Sequence, residues 1–253
     1  MSFRDALFVA AAATTITIAA SDGLARDVNM AIGLSLSPYV IPDELRGMEY
    51  DIAKEALALE GHVLLPHFVP LVRVAKEIEA GQTDAALTQK MDSGIGGYYS
   101  DVYITYQNFA ITLASHNLKI DRLSDLAGKS IIAFQRAAMV LGPEFKASVS
   151  NNPKYREEAK QIVQPTMLFH GRTDVVIADR NIFAWFTRFP EVSAKSDTTQ
   201  PLHFHPLFPP TDYRVAFREA NLRDDFNRGL TKLKVSGEYG RIIQRYSPLM
   251  AGE

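Results

Sequence analysis

The sequence predicts an α/β protein with two similar lobes. Residues 28–88 alternate strand-like and helix-like patterns in the order β-α-β-α-β, which is typical of a parallel sheet with helices on its faces. A nine-residue stretch occurs twice, as GQTDAALTQ at 81–89 and as GRTDVVIAD at 171–179. Each copy has the pattern of a helix stop, a turn, a short buried strand and a polar group at the strand end. Because ligands bind at the carboxyl ends of strands in open α/β sheets, the repeat predicts two lobes that face one cleft.

In the first half of the chain the elements follow from the spacing of apolar side chains. Residues 28–32 alternate apolar and polar side chains, as a strand with one buried face does. A helix is expected to begin at Asp51, a suitable N-cap, and to end at Gly61. Residues 63–68 form the next strand, and Pro70 begins a second amphipathic helix that leads into the first copy of the repeat.

In the second half the same pattern predicts a second sheet and a helical end. Strands are expected at 109–114, at 130–134 and at 202–208, in addition to the second copy of the repeat. Two amphipathic helices, separated by Gly237, follow near the carboxyl terminus.

Composition excludes several classes of function. The formal net charge of −2 gives no basic face, so the sequence does not predict nucleic-acid binding. The chain contains no cysteine, which excludes disulfides, thiolate catalysis and cysteine-bound zinc. At 253 residues it is long enough for two modest domains.

Residues 1–25 are interpreted as a signal peptide. One Arg precedes an uninterrupted apolar run at 6–20, which has the length of a signal-peptide core and is too short for a membrane span. Small residues allow cleavage after Ala25, with cleavage after Ala20 as the alternative, and a buried N-terminal helix is the competing structural interpretation. The sequence therefore predicts a periplasmic protein.

Eight short motifs follow one another in a characteristic order. They are SPY (37–39), GMEYDIA (47–53), GQTDAAL (81–87), YSDVY (99–103), LSDLAGK (123–129), GRTDVVIAD (171–179), FNRGL (226–230) and GEY (237–239). With this order, essentially the whole chain after the signal peptide resembles the type II periplasmic solute-binding proteins that serve polar amino acid ABC importers (bacterial extracellular solute-binding protein family 3).

The resemblance implies a particular fold and function. The fold would be the two-lobed type II periplasmic binding protein fold, in which each lobe is a mixed, mostly parallel sheet flanked by helices and two hinge crossovers join the lobes. Lobe 1 would comprise residues 26–110 and 209–253, and lobe 2 residues 111–208. A small-molecule solute would bind between the lobes, which close on it because it contacts both of them.

The resemblance also implies which residues of lobe 1 line the cleft. They are Tyr39, the aromatic residue after the first strand, and Thr88, Gln89 and Lys90 at the end of the first repeat strand. Arg73, on the second helix, is a further candidate. Tyr39 has the alternative of a buried rim residue, and Arg73 that of a solvated surface charge.

In lobe 2 the candidates lie after two strands. Phe134, Gln135 and Arg136 lead into a helix whose free N–H groups could bind an anion. Asp179 corresponds to the family carboxylate that receives a ligand ammonium group through charge-assisted hydrogen bonds. The same side chain could instead cap the helix that begins near Asn181.

The sequence departs from the family pattern where the ligand carboxylate would bind. Family members carry an Arg in the loop after the first repeat strand, whereas no Arg occurs here between Lys90 and Thr105. The usual hydroxyl residues of lobe 2 are replaced by Ala137 and Ala138. Lys90 or Arg136 could supply a compensating charge, although Lys is a point charge rather than a planar fork. The sequence thus predicts an ammonium-bearing, amino-acid-like solute and leaves its anionic end undefined.

Three classes of function are considered for a protein with this fold. A monomeric binding protein that delivers its solute to an ABC importer permease comes first, and a sensory module for a membrane signalling partner is the alternative. An enzyme on the same fold is disfavoured, because residues 180–182 beside Asp179 offer no obvious proton donor. His203 and His205 share one face of a strand without a visible third ligand, so we expect no metal and no cofactor.

Overall fold

The computed structural model describes residues 25–34 and 37–247 of the chain. The predicted signal peptide, residues 1–25, lies outside the described residues except for Ala25. Within the described ranges, no helix is both long and apolar enough to cross a membrane.

The chain alternates between strands and helices, as the spacing of apolar side chains predicts. The strands are β1 (Asp27–Gly33), β2 (Val63–Val69), β3 (Ala85–Gln89), β4 (Tyr98–Tyr99), β5 (Ile104–Tyr106), β6 (Asn108–Leu113), β7 (Ile131–Phe134), β8 (Tyr155–Glu158), β9 (Val175–Asp179), β10 (Leu202–His205) and β11 (Thr211–Phe217). The helices are α1 (Met48–Ala58), α2 (Leu71–Glu79), α3 (Ala137–Val140), α4 (Pro143–Val149), α5 (Val163–Phe169), α6 (Arg180–Thr187), α7 (Pro190–Ser193), α8 (Ala220–Val235) and α9 (Glu238–Tyr246).

The strands form two mixed sheets. The first has the order β2-β1-β3-β11-β4, with β5 also paired to β11, and its strands β1, β2 and β3 are parallel while β11 is antiparallel to its partners. The second has the order β10-β6-β9-β7-β8, in which β7 is parallel to both its neighbours and β6 is antiparallel to both of its own. We call the elements around the first sheet lobe 1 and those around the second sheet lobe 2. The predicted pair of helix-flanked mixed sheets is confirmed.

Two short connections join the sheets. Gln107 alone separates β5 of the first sheet from β6 of the second, and residues 206–210 lead back from β10 to β11. The first sheet therefore takes strands from both ends of the described chain, whereas the second is built from one continuous segment. The exact lobe limits at 110/111 and 208/209 stay a prediction.

Each repeat strand lies in the interior of its sheet, and this explains its composition. All five residues of β9 are buried, because helices cover both faces of the second sheet. In the first sheet β3 lies between β1 and β11, and its three apolar residues are also buried. The buried apolar run of each strand thus places the polar residue at its end at the edge of the sheet.

Helix α1 begins earlier than the sequence predicts. Its first residue is Met48, after Gly47, so the expected N-cap at Asp51 is wrong. The first N–H groups of the helix need no side-chain cap, because Met48 N–H donates to Pro38 O and Glu49 N–H to Tyr39 O, each at 2.9 Å. Asp51 lies in the first turn instead, where its carboxylate accepts a hydrogen bond of 2.7 Å from Tyr246 Oη.

A glycine allows α8 to lie directly against α1. A Cβ atom added at Gly229 would lie 1.9 Å from the carbonyl oxygen of Ala56 and 2.8 Å from its carbon. Only a residue without a side chain permits this approach of the two backbones. The contact brings the carboxyl-terminal part of the chain into the core of lobe 1, where Phe226 and Leu230 are buried.

Candidate functional site

The loop after β1 and the end of β9 meet across the space between the lobes. The hydroxyl of Tyr39, from lobe 1, lies 3.0 Å from both carboxylate oxygens of Asp179, from lobe 2. The same hydroxyl accepts a hydrogen bond of 2.9 Å from Asn181 Nδ2. Helix α6 also touches lobe 1 at its second turn, where the ring of Trp185 lies 6.4 Å from that of Tyr246. The structure therefore holds the two lobes in contact at the predicted cleft.

Asp179 caps α6 as well as facing the cleft. Its Oδ1 accepts hydrogen bonds from the N–H groups of Asn181 at 2.9 Å and Ile182 at 3.1 Å. Its Oδ2 accepts one of 3.1 Å from the N–H of Gln107, the residue that joins the two sheets. The capping alternative is thus observed, and the ligand role of Asp179 stays a prediction.

The surroundings of Asp179 raise its pKa but leave the carboxylate mainly ionised at neutral pH. The residue is only 4% exposed, and burial raises its pKa to about 6 against the hydrogen bonds from Ile182, Tyr39 and Gln107, which lower it. Burial, followed by the charge of Asp179, raises the pKa of Tyr39 well above its ordinary value. Tyr39 therefore stays a hydrogen-bond donor at neutral pH.

The contribution of Asp179 to the stability of the protein is expected to fall as the pH rises from about 4 to about 6. Asp179 has a pKa of about 6 in the folded state against an ordinary value of 3.8, so the folded state binds its proton more tightly and gains stability at low pH. The difference corresponds to about 3 kcal/mol, which is lost progressively through this range and is absent above it. The free energy of urea unfolding, measured at several pH values, checks this.

An Asp179→Asn variant is the control for this pH dependence. It lacks the titrating group, so its unfolding free energy is expected to fall less steeply over the same range. Glu49 and Tyr39 also influence this site, but they are present in both proteins and cancel in the comparison. Equal slopes for the two proteins would contradict the assignment to Asp179.

A second buried carboxylate, Glu49, lies in lobe 1. It is 0% exposed, and its Oε2 accepts hydrogen bonds from the hydroxyl groups of Tyr103 at 2.8 Å and Thr88 at 2.5 Å. Burial raises its pKa, while the hydroxyl groups of Thr88, Tyr106 and Tyr103 lower it. Its Oε1 has no hydrogen-bond partner among the described residues. Glu49 is not among the predicted site residues, although it lies within the motif at 47–53.

Tyrosine rings surround these carboxylates. Tyr39 stacks on Tyr106 with ring centroids 3.7 Å apart, and Tyr213 meets the edge of Tyr106 at 4.8 Å. Burial, with smaller contributions from the charges of Glu49 and Asp179, raises the pKa of Tyr213 to about 12. Both acids therefore lie close enough to act on the same phenol.

The other residues predicted at the end of β3 have different surroundings. Thr88 has a left-handed φ of 59° and turns its hydroxyl toward Glu49. Gln89 is buried, and its Nε2 donates to Leu87 O at 2.6 Å, within its own strand. Lys90 is exposed and forms no ion pair with the described residues. Of the three, the structure brings Thr88 into the cluster of acids and tyrosines.

Arg73 lies on the exposed surface of α2. Its side chain pairs with Glu77, one turn further along, with an Nη2–Oε1 distance of 3.2 Å. No hydrogen bond or ion pair of the described residues joins it to Tyr39 or Asp179. This arrangement is the surface-charge alternative, and a contact of Arg73 with a solute stays a prediction.

The predicted anion-binding loop of lobe 2 is occupied by a carboxylate of the chain itself. Phe134 is half-buried at the end of β7, and Gln135 and Arg136 are exposed. The N–H groups of Arg136 and Ala138 donate to Glu157 Oε2 at 2.6 Å and Oε1 at 2.9 Å. Glu157 reaches them from β8, the parallel neighbour of β7. The free N–H groups expected from the sequence are therefore already paired.

The described residues contain no group of three or more His, Cys, Asp or Glu side chains that could hold a metal ion. The chemistry of the site thus consists of two buried carboxylates, tyrosine rings and hydroxyl groups, and the arrangement is suited to binding a cation.

Similarity to known proteins is found in structure only. No protein-family model and no curated protein matches the sequence. A protein of Bacillus subtilis, YckB, superposes with a TM-score of 0.69 at 20% identity, covering 88% of this chain and 90% of its own. A substrate-binding protein of a polar amino acid ABC uptake transporter from Streptococcus thermophilus has a TM-score of 0.65 at 17% identity, with 88% and 86% covered. The GluR0 ligand-binding core in complex with L-glutamate has a TM-score of 0.65 at 14% identity, with 89% and 100% covered.

The transporter substrate-binding protein among them is of the class that the sequence motifs indicate. At 14% to 20% identity the three neighbours establish the fold. With two mixed sheets joined by two crossings, the chain has the two-lobed α/β fold of the type II periplasmic binding proteins, the fold of the substrate-binding proteins of polar amino acid ABC transporters.

Proposed function

We propose that the chain binds a small, polar, ammonium-bearing solute between its lobes. The contact of Tyr39 with Asp179 carries this proposal, because it places a buried carboxylate of lobe 2 against a side chain of lobe 1. No ion pair of the described residues involves Asp179, so none of these residues balances its charge. An ammonium group that enters between the lobes would supply that charge and contact both lobes, and so favour the closed state.

Delivery of the solute to an ABC importer permease is part of the proposal. It is supported by the fold shared with a transporter substrate-binding protein. A sensory role is the second candidate, favoured by the equally good superposition on the GluR0 ligand-binding core. The genes beside this one separate the two roles: permease and ATPase genes support import, whereas a histidine kinase or cyclase gene supports sensing.

We also propose that the protein acts in the periplasm as a monomer without catalytic activity. Export is supported by the apolar run at residues 6–20. N-terminal sequencing of the exported chain tests this, and a chain that keeps its first 20 residues would contradict it. Turnover of a bound solute would contradict the absence of catalysis.

The experiment that tests solute binding is a thermal-shift screen of the chain without residues 1–25. Amino acids, polyamines, quaternary amines and small organic acids are compared. A ligand present at 100 times its Kd stabilises the folded state by about 2.7 kcal/mol, so a ligand of the right class is expected to raise the Tm by several degrees. We expect ammonium-bearing solutes to do so, and Asp179→Asn to abolish the shift.

The matched control is Asp174→Asn. Asp174 is a carboxylate of the same lobe, and it accepts hydrogen bonds from the backbone and hydroxyl of Ser130 rather than facing the cleft. The shift should survive in this variant. The proposal would be refuted if only simple anions raised the Tm. It would also be refuted if Asp179→Asn left the rise in Tm unchanged.

A further inference from the structure

We propose that the solute is an organic cation without a carboxylate group, held by Glu49 and Asp179 and by the faces of the surrounding tyrosines. The inference rests on the proposed function and adds the chemical class of the solute. It assigns Glu49, Tyr106 and Tyr213 to the site, in addition to Tyr39 and Asp179.

The two buried carboxylates of the site lack a counter-charge among the described residues. Glu49 is 0% exposed and Asp179 is 4% exposed, and neither forms an ion pair with the described residues. A buried charge without a counter-charge is costly, and proteins normally pair it. Oε1 of Glu49 accepts no hydrogen bond of good geometry from the described residues. Burial raises the pKa of this carboxyl, and the nearby hydroxyl of Tyr106 lowers it without supplying a charge. The missing partner is therefore a counter-charge. A cation that enters between the two acids supplies it.

Three tyrosine rings pack together beside the two acids. The rings of Tyr39, Tyr106 and Tyr213 are in direct contact, at centroid distances of 3.7 and 4.8 Å. The hydroxyl of Tyr106 is buried beside the Glu49 carboxylate, its pKa is raised by burial and by that charge, and it makes no hydrogen bond of good geometry with the described residues. Tyr39 and Tyr106 are stacked and cover one face of each other, so a cation would meet their outer faces. Aromatic faces attract organic cations, and cages of such faces recognise quaternary ammonium groups. Acids and rings together therefore favour a cationic solute over a neutral one.

The places where a solute carboxylate would bind lack suitable hydrogen-bond donors. In lobe 2 the N–H groups of Arg136 and Ala138 already donate to Glu157. In lobe 1 no Arg occurs between Lys90 and Thr105 to form a planar pair with a carboxylate. A carboxylate on the solute would enter a site that already holds two acids. It would find no set of hydrogen-bond donors there to match its two oxygens.

The cation must compete with one internal contact. The hydroxyl of Tyr39 donates to Asp179 in this structure, and an ammonium group would take over that acceptor. Tyr39 can then keep its hydrogen bond from Asn181. The exchange replaces a neutral donor by a charged one, which makes the stronger hydrogen bond.

The test is a calorimetric titration of the protein with matched pairs that differ by one carboxylate. The pairs are choline and glycine betaine, putrescine and ornithine, agmatine and arginine, and histamine and histidine. In at least one pair we expect the member without the carboxylate to bind about 100-fold more tightly. An amino acid that binds as tightly as its amine overturns this inference and leaves the proposed function standing. Failure of every ammonium-bearing compound overturns both.

Variants then test the assigned residues with the best cation from the titration. Glu49→Gln is expected to weaken binding about 10-fold or more, whereas Glu60→Gln is not, since the Glu60 carboxylate pairs with Arg228 and Lys232 elsewhere in lobe 1. An unchanged affinity in folded Glu49→Gln refutes its role.

A second pair of variants does not depend on the folding of Glu49→Gln. Tyr213 is only half-buried, so its replacement is tolerated more easily. Tyr213→Leu is expected to weaken cation binding about 10-fold, and Tyr213→Phe, which keeps the aromatic face, to stay close to wild type. Equal affinities of the Leu and Phe variants would overturn the role of the rings.

Discussion

Replacing Gly229 by Ala is expected to lower the free energy of unfolding by about 3 kcal/mol, the upper end of the usual cost of overpacking. The added methyl group would lie 1.9 Å from Ala56 O, which is backbone and cannot rotate away as a side chain would. Helices α1 and α8 must therefore move apart, and the apolar contacts of Phe226 and Leu230 in the core of lobe 1 loosen with them. Urea unfolding followed by circular dichroism measures the change.

Gly240→Ala is the matched control for this prediction. It makes the same chemical change in α9, where an added Cβ meets nothing within 4 Å. Removing a glycine from an open helix site stabilises by about 0.5–1 kcal/mol, so the two substitutions should have opposite signs. A loss of stability of the same size in both variants would contradict the packing argument.

Tyr39→Ala is expected to cost about 4 kcal/mol, the usual range for deleting a fully buried aromatic ring. The side chain is 0% exposed and stacks on Tyr106. Its hydroxyl also joins the lobes through Asp179 and Asn181. Tyr39→Phe keeps the ring and removes only the hydroxyl, so it should cost about 1–2 kcal/mol. Urea unfolding of the three proteins separates the two contributions.

Tyr98→Ala controls for the loss of a tyrosine as such. Tyr98 is 46% exposed, so its removal should change the unfolding free energy by only about 0.5 kcal/mol. If Tyr39→Phe proved as costly as Tyr39→Ala, stability would depend on the hydroxyl and not on ring packing. That outcome would contradict the prediction.

The fold was largely predictable because its strands carry local patterns. The repeat strands β3 and β9 combine a glycine stop with a short apolar run, and both lie in the interior of their sheets. The start of α1 was not predictable in the same way. Its first N–H groups are satisfied by backbone carbonyls of the loop at 38–39, and no side-chain pattern signals a partner of that kind.

The candidate site was predictable only in part. Tyr39 and Asp179, which follow strands, were assigned to one cleft, and the structure places them in contact. Glu49 was missed because a carboxylate in the first turn of a helix has the pattern of a surface residue. Its burial depends on Tyr103, which is 54 residues away in the sequence. Glu157 was missed for a similar reason, because it reaches the loop of lobe 2 only once β8 pairs with β7.

The division of the first sheet between the two ends of the chain bears on how the protein forms during synthesis. All strands of the second sheet have left the ribosome once His205 has emerged, whereas β11, which lies between β3 and β4, comes later. Until α8 arrives, α1 lacks the helix that Gly229 lets approach it. Because domains generally fold as units during synthesis, lobe 1 is the lobe that must wait for β11 and α8 to be made.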